Sequence, residues 1–83
     1  MRETIFIEKT YSSAILMRNP ESGKWQVMSL YFHVLNAIRL AFPLSVSMES
    51  PLVVVERGAS PVVVSCGRIV SDVSFFVEVV WGI

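Results

Sequence analysis

An 83-residue chain that is 53% hydrophobic and 17% charged has room for one domain and carries more apolar material than one small core needs. Its seven basic and seven acidic residues cancel and are scattered singly, so it lacks the basic excess or stripe with which nucleic-acid binders displace counterions from phosphates. A single cysteine, Cys66, excludes a disulfide-stapled mini-domain.

The first residues, MRETIFIEKT, reach Glu3 and Glu8 before an apolar stretch of signal-peptide length forms. No secretion signal is expected, and with the lone cysteine this makes the cytoplasm the expected compartment. Within the same stretch Ile5 and Ile7 alternate with Thr4, Phe6 and Glu8, the period of a strand. The run Ser13–Arg18 and the extended pattern at Trp25–Met28 flank Asn19-Pro20-Glu21-Ser22-Gly23-Lys24. Proline fixes φ and glycine admits positive φ, so this segment predicts a hairpin with a six-residue loop.

From Ser29 the period changes. Ser29 as a cap and Pro43 as a stop predict a helix from Leu30 to about Ala41. His33, Asn36 and Arg39 make one narrow polar stripe on it, whereas Leu30, Tyr31, Val34, Leu35, Ile38, Ala41 and Phe42 make a broad apolar face. A helix apolar over so much of its circumference is expected to be covered on more than one side. Beyond the proline, Leu44, Val46 and Met48 alternate with Ser45 and Ser47 and predict a strand with one wet face.

Two segments, PLVVVE and PVVVSC, follow around the turn ERGAS, with Pro51 and Pro61 standing where a strand can start without breaking a ladder. They read as adjacent antiparallel strands, and neither has a polar side. A strand apolar on both faces needs a layer on each, and one helix supplies one. The other layer is expected from a second copy of the chain, or else from the sheet curling on itself. In the tail, Val73, Phe75, Val77, Val79 and Trp81 alternate with Ser74, Phe76, Glu78 and Val80. The β-branched content favours strand over a helix capped by Ser71 or Asp72. A terminal strand this apolar is expected to dock on its own sheet or on a neighbour's.

These elements predict an α+β fold in one domain, residues 1–83: a mostly antiparallel sheet of six or seven short strands, open or curled, with one central helix. The predicted order is β-β-β-α-β-β-β-β. The longest uncharged stretch, between Lys24 and Arg39, is 14 residues, well short of the ~20 that span a bilayer. Membrane contact is therefore expected only at an interface, if at all, and nucleic acid is not an expected partner.

Groups for chemistry are scarce. His33, Cys66 and Asp72 are each the only residue of their kind, and a nucleophilic arrangement would need all three together. Cys66 follows a valine run and reads as a core side chain, and His33 lies on the polar stripe as an ordinary imidazole. A structural zinc site needs four ligands. The Gly-Lys of PESGKW lacks both the earlier glycine and the following hydroxyl residue of a phosphate loop.

No catalytic, cofactor or metal site is expected. The function expected is that of a small non-enzymatic protein-binding protein working as a homo-oligomer, of the kind that serves phages or mobile elements as accessory or inhibitor proteins. The alternatives are a membrane-associated or large-complex subunit and a Cys66-dependent enzyme. Apolar and aromatic residues anchor most interfaces, and the candidates here are Tyr31, Leu35, Ile38, Phe42, Val53, Val55, Val63, Phe76 and Trp81.

Overall fold

The computed structural model describes residues 3–70 and 77–82. Its elements are β1 (Glu3–Ile7), β2 (Ser13–Arg18), β3 (Trp25–Tyr31), α1 (Val34–Ser47), β4 (Leu52–Glu56), β5 (Val62–Ser65), β6 (Arg68–Val70) and β7 (Val77–Trp81). The expected α+β class and antiparallel majority hold: β3-β2-β4-β5-β6 form one antiparallel sheet, while β1 and β7 form a separate parallel pair.

The β2–β3 hairpin forms where expected. The Asn19 carboxamide oxygen accepts from the amides of Glu21 (2.8 Å) and Ser22 (3.3 Å), and the Asn19 amide donates to the Lys24 carbonyl (2.7 Å), closing the loop. The helix differs from its expected bounds at both ends. Leu30 and Tyr31 continue β3, opposite Ala14 and Ser13, so ladder bonds claim residues whose spacing also suited a helix. Ser29 is therefore in a strand, and His33 is the residue preceding α1, with extended backbone and no side-chain cap.

At the other end α1 runs through Pro43 to Ser47. Pro43 and Arg39, one turn earlier, are both exposed, so water can satisfy the carbonyl that loses its partner. The predicted strand over Leu44–Met48 is thus the last turn of the helix. Its buried member is Ser45, while Val46 is exposed.

Ala37, Ala41 and Ser45 recur every four residues on the buried face of α1, and their small side chains let the helix close on the sheet. Against them lie Ile15, Leu52, Val54 and Val64. The alternate residues Ala14, Leu16, Val53 and Val55 face the opposite way and pack on Ile7 and Val77 of the β1/β7 pair. This is where the unpatterned valine strands find their second layer. It comes from the two ends of the same chain, neither from a second copy nor from a curled sheet.

The two ends are tied down by specific bonds. β1 and β7 run parallel from Glu3 opposite Val77 to Ile7 opposite Trp81, and the Gly82 amide donates to the Ile7 carbonyl at 2.8 Å. The Trp25 amide donates to the Glu3 carboxylate at 3.1 Å, holding β1 beside β3. Beneath this layer the buried Ser13 hydroxyl donates to the Val55 carbonyl at 2.8 Å, which removes the penalty of an unpaired polar group. The tail strand, expected on its own sheet or on a neighbour's, therefore docks on its own chain, as the partner of β1.

Candidate functional site

β5 and β6 are joined by a two-residue turn in which Cys66 (φ 53°) and Gly67 (φ 75°) both adopt the left-handed conformation, the geometry that matches strand twist in tight hairpins. The turn is pinned to the helix: the Gly67 amide donates to Ser45 Oγ at 2.8 Å, and Ser45 Oγ donates to the Phe42 carbonyl at 2.9 Å. This sets β6 beside the Phe42–Val46 flank of α1.

Register then fixes which side chains of β6 face the helix. Ile69 is opposite Val64, so both point to the helix side of the sheet. Val64 is fully covered, but α1 does not extend over β6, and Ile69 remains 57% exposed. Leu35, Phe42 and Val46, spaced seven and four apart, fall on one flank of α1. Leu35 is 64% exposed and Val46 57%, with Phe42 and Ile38 half-buried between them and the sheet. Together with Ile69 they leave on the order of 300–400 Å² of apolar surface, the size of the largest patch on a typical monomer. Its border is the outer edge of β6, which has no ladder partner among the described residues. An open edge of this kind is a template for further pairing.

The expected interface residues divide between this surface and the interior. Leu35, Ile38 and Phe42 belong to the flank. Tyr31 is half-buried under the helix, and its hydroxyl accepts from Ser29 Oγ at 2.8 Å. Val53 and Val55 are sealed between β4 and the β1/β7 layer, so they present nothing to a partner. Val63 and Trp81 are half-buried at the rim of that same cluster. Phe76 lies outside the described residues. Ile69 escaped notice because a three-residue strand has no pattern of its own; the signal available was Cys66-Gly67 between two apolar runs.

Trp81 is part of a second feature. The Arg57 guanidinium lies 5.3 Å from the centroid of its ring and donates through Nη2 to the carbonyls of Lys9 and Tyr11. The Arg57 amide also donates to the Ser12 carbonyl at 3.0 Å. Beside this cluster, between β7 and the β4–β5 turn, runs an open cleft of ≈ 600 Å³.

The structure separates the sparse chemical groups. Cys66 is exposed at the tip of its turn rather than in the core, because the left-handed turn directs it away from the valine layer. It sits by the last turn of α1, whereas His33 precedes the first, and a 14-residue helix puts about 20 Å between those ends. Asp72 lies outside the described residues. Among the described residues no three His, Cys, Asp or Glu side chains converge on a point where a metal could sit. Among them, too, no helix is long and apolar enough to cross a membrane.

The arrangement defines a small three-layer α+β domain, with a helix, a five-stranded sheet and a parallel strand pair, in which the β6 edge and the adjoining flank of α1 are uncovered among the described residues. No family model, curated protein or solved structure matches the chain.

Proposed function

We propose that the chain is a non-enzymatic interaction protein that assembles with a second copy of itself through the β6 edge and the adjoining flank of α1. The observation that carries this reading is the position of Ile69, in register with the buried Val64 yet past the reach of the helix. Antiparallel pairing of β6 with β6 of a second copy, centred on Ile69, sets Ile69 across from its equivalent and Arg68 across from Val70. It also brings the Leu35–Val46 flanks toward the two-fold axis. Such an interface is isologous, so one patch serves both partners.

A stable interface takes about 800 Å² per partner with a core about two-thirds apolar. The flank and Ile69 supply the greater part of that core, and the backbone edge supplies hydrogen bonds. Light scattering on the purified chain over a concentration series tests the reading. A dimer mass, lost in Ile69→Lys while the circular dichroism spectrum stays native, is the expected result. A monomer mass for the parent chain at every concentration overturns self-assembly.

A further inference from the structure

The five-stranded sheet ends in β6 on one side and β3 on the other. β3 has seven residues against three in β6, and a long edge strand is the stronger template for pairing. If both edges joined their like in other copies, each copy would have two neighbours and assembly would run on without closing. Two features of β3 oppose this, and both lie at the far end of the sheet from β6.

The first is at Trp25. The Asn19 amide bonds the Lys24 carbonyl at 2.7 Å, so alternation along the hairpin turns the backbone groups of Gln26 toward β2 and those of Trp25 and Val27 outward. An added strand needs the Trp25 amide, but that amide already donates to the Glu3 carboxylate at 3.1 Å, a charged acceptor that β1 brings to the edge. The second is at Met28. Ser29 lies opposite Ile15 and Val27 opposite Leu16, which leaves Met28 as the extra residue of a bulge. The bulge breaks the two-residue repeat of outward groups that a straight partner follows. The regular stretch therefore shrinks from the whole of β3 to its Trp25–Val27 end, and Glu3 occupies that end.

We propose that Glu3 and the Met28 bulge close the β3 edge to pairing with a second copy, and that Glu3 is the residue that limits assembly. The closure stands on β3 alone; that it ends assembly at two copies rests on the β6 pairing proposed above. A strand adding at β3 must displace a hydrogen bond to a charged group, and such a bond shifts an equilibrium about tenfold or more. Glutamine at position 3 keeps an acceptor oxygen, whereas alanine removes it.

Light scattering over a concentration series compares the intact parent chain with Glu3→Ala, with Glu3→Gln, and with Glu3→Ala combined with deletion of Met28, which keeps every other β2–β3 pair in register. Glu3→Ala is expected to form species larger than the parent's, and the combined variant to form them at about tenfold lower concentration. Glu3→Gln is expected to match the parent. Hydrogen exchange at the Trp25 and Val27 amides slows as the concentration of Glu3→Ala rises. The parent's own mass reads the β6 proposal separately. A monomeric parent whose Glu3→Ala variant dimerises keeps the closure and rejects β6 pairing, whereas a dimeric parent whose variant grows into an open series keeps both.

The closure is overturned by a Glu3→Ala variant that keeps the parent's mass at every concentration with a native circular dichroism spectrum. It is overturned as well by a Glu3→Gln variant that associates as strongly as Glu3→Ala, or by slowed amides that map away from β3. Equal onset in the single and combined variants overturns the share assigned to Met28. Met28 also packs against the helix-side core, so Glu3→Ala alone decides the role of Glu3 where the deletion does not fold.

Discussion

Gly67 and Ser45, from a hairpin turn and the buried face of a helix, share a hydrogen bond of 2.8 Å on which the placement of β6 depends. Ser45 Oγ accepts from the Gly67 amide and donates to Phe42, so both of its roles are filled. Ser45→Ala leaves the Gly67 amide without this partner and is expected to cost about 1–2 kcal/mol in urea unfolding. Hydrogen exchange gives the more specific readout: β6 amides speed up, while those of β2 and β4 stay slow. Uniform acceleration across the sheet would mean that Ser45 supports the whole fold rather than the hairpin.

Gly67 adds a steric constraint to its left-handed backbone. A Cβ there would lie 3.0 Å from Val46 Cγ2, whereas one on Gly58, with φ of 78°, meets nothing within 4 Å. Both alanine variants pay for the left-handed conformation, about 1–2 kcal/mol. Only Gly67→Ala must also push the helix flank aside. Thermal unfolding is therefore expected to rank Gly67→Ala below Gly58→Ala, and equal melting temperatures would show that Val46 yields freely.

Among the described residues two others hold positive φ without being glycine: Cys66 in the same turn and Glu49 just past the end of α1, both at 53°. Glu49 stands where helices commonly place glycine, with the Met48 amide on the Leu44 carbonyl (2.9 Å) and its own amide on Val46 (3.3 Å). Glu49→Gly and Cys66→Asn are each expected to stabilise by about 0.5–1 kcal/mol, the second by creating the Asn-Gly pair that such hairpins favour. Chemical denaturation measures both. A loss of stability in Cys66→Asn would reveal a packing role for the thiol.

Much of the fold is legible in the sequence where local chemistry decides it. Asn19-Pro20 and Gly23 mark one hairpin, and Pro51 and Pro61 mark the starts of β4 and β5. The helix bounds are misread because Ser29 and Pro43 look like punctuation, whereas β2 recruits Leu30 and Tyr31 into a ladder and Pro43 faces water. Leu44–Met48 misleads because polarity there does not follow burial: Ser45 is buried with its hydroxyl bonded to the Phe42 carbonyl and the Gly67 amide, while Val46 is exposed. The pairing of β1 with β7 joins the two ends of the chain, and alternation in each strand does not state its partner. Of the candidate surface, Leu35, Ile38 and Phe42 are visible as an apolar flank, but the exposure of Ile69 depends on where the helix stops covering the sheet.

Because β1 and β7 supply the second layer, Val53 is buried within one chain. Val53→Ala opens a cavity there and is expected to cost about 1.5–3 kcal/mol. The loss should be the same at low and high protein concentration. A penalty that shrinks as concentration rises would mean that a second copy contributes to this core.

Arg57 joins three separate parts of the chain: its own turn, the β1–β2 connection through the Lys9, Tyr11 and Ser12 carbonyls, and Trp81 at the end of β7. Lysine keeps the charge but not the planar fork that can bond two carbonyls while lying over an indole. Arg57→Lys is therefore expected to loosen β7 against the sheet, with faster exchange at Val80 and Gly82, the amides turned toward β1. An exposed cation over an aromatic ring contributes about 0.5–1 kcal/mol, so the melting temperature falls by a few degrees while the spectrum of β2–β4 is unchanged. If Arg57→Lys leaves exchange at Val80 and Gly82 at the parent rate, the Arg57–Trp81 contact does not hold the terminal strand, and the β1 ladder with Ile7 alone accounts for its docking.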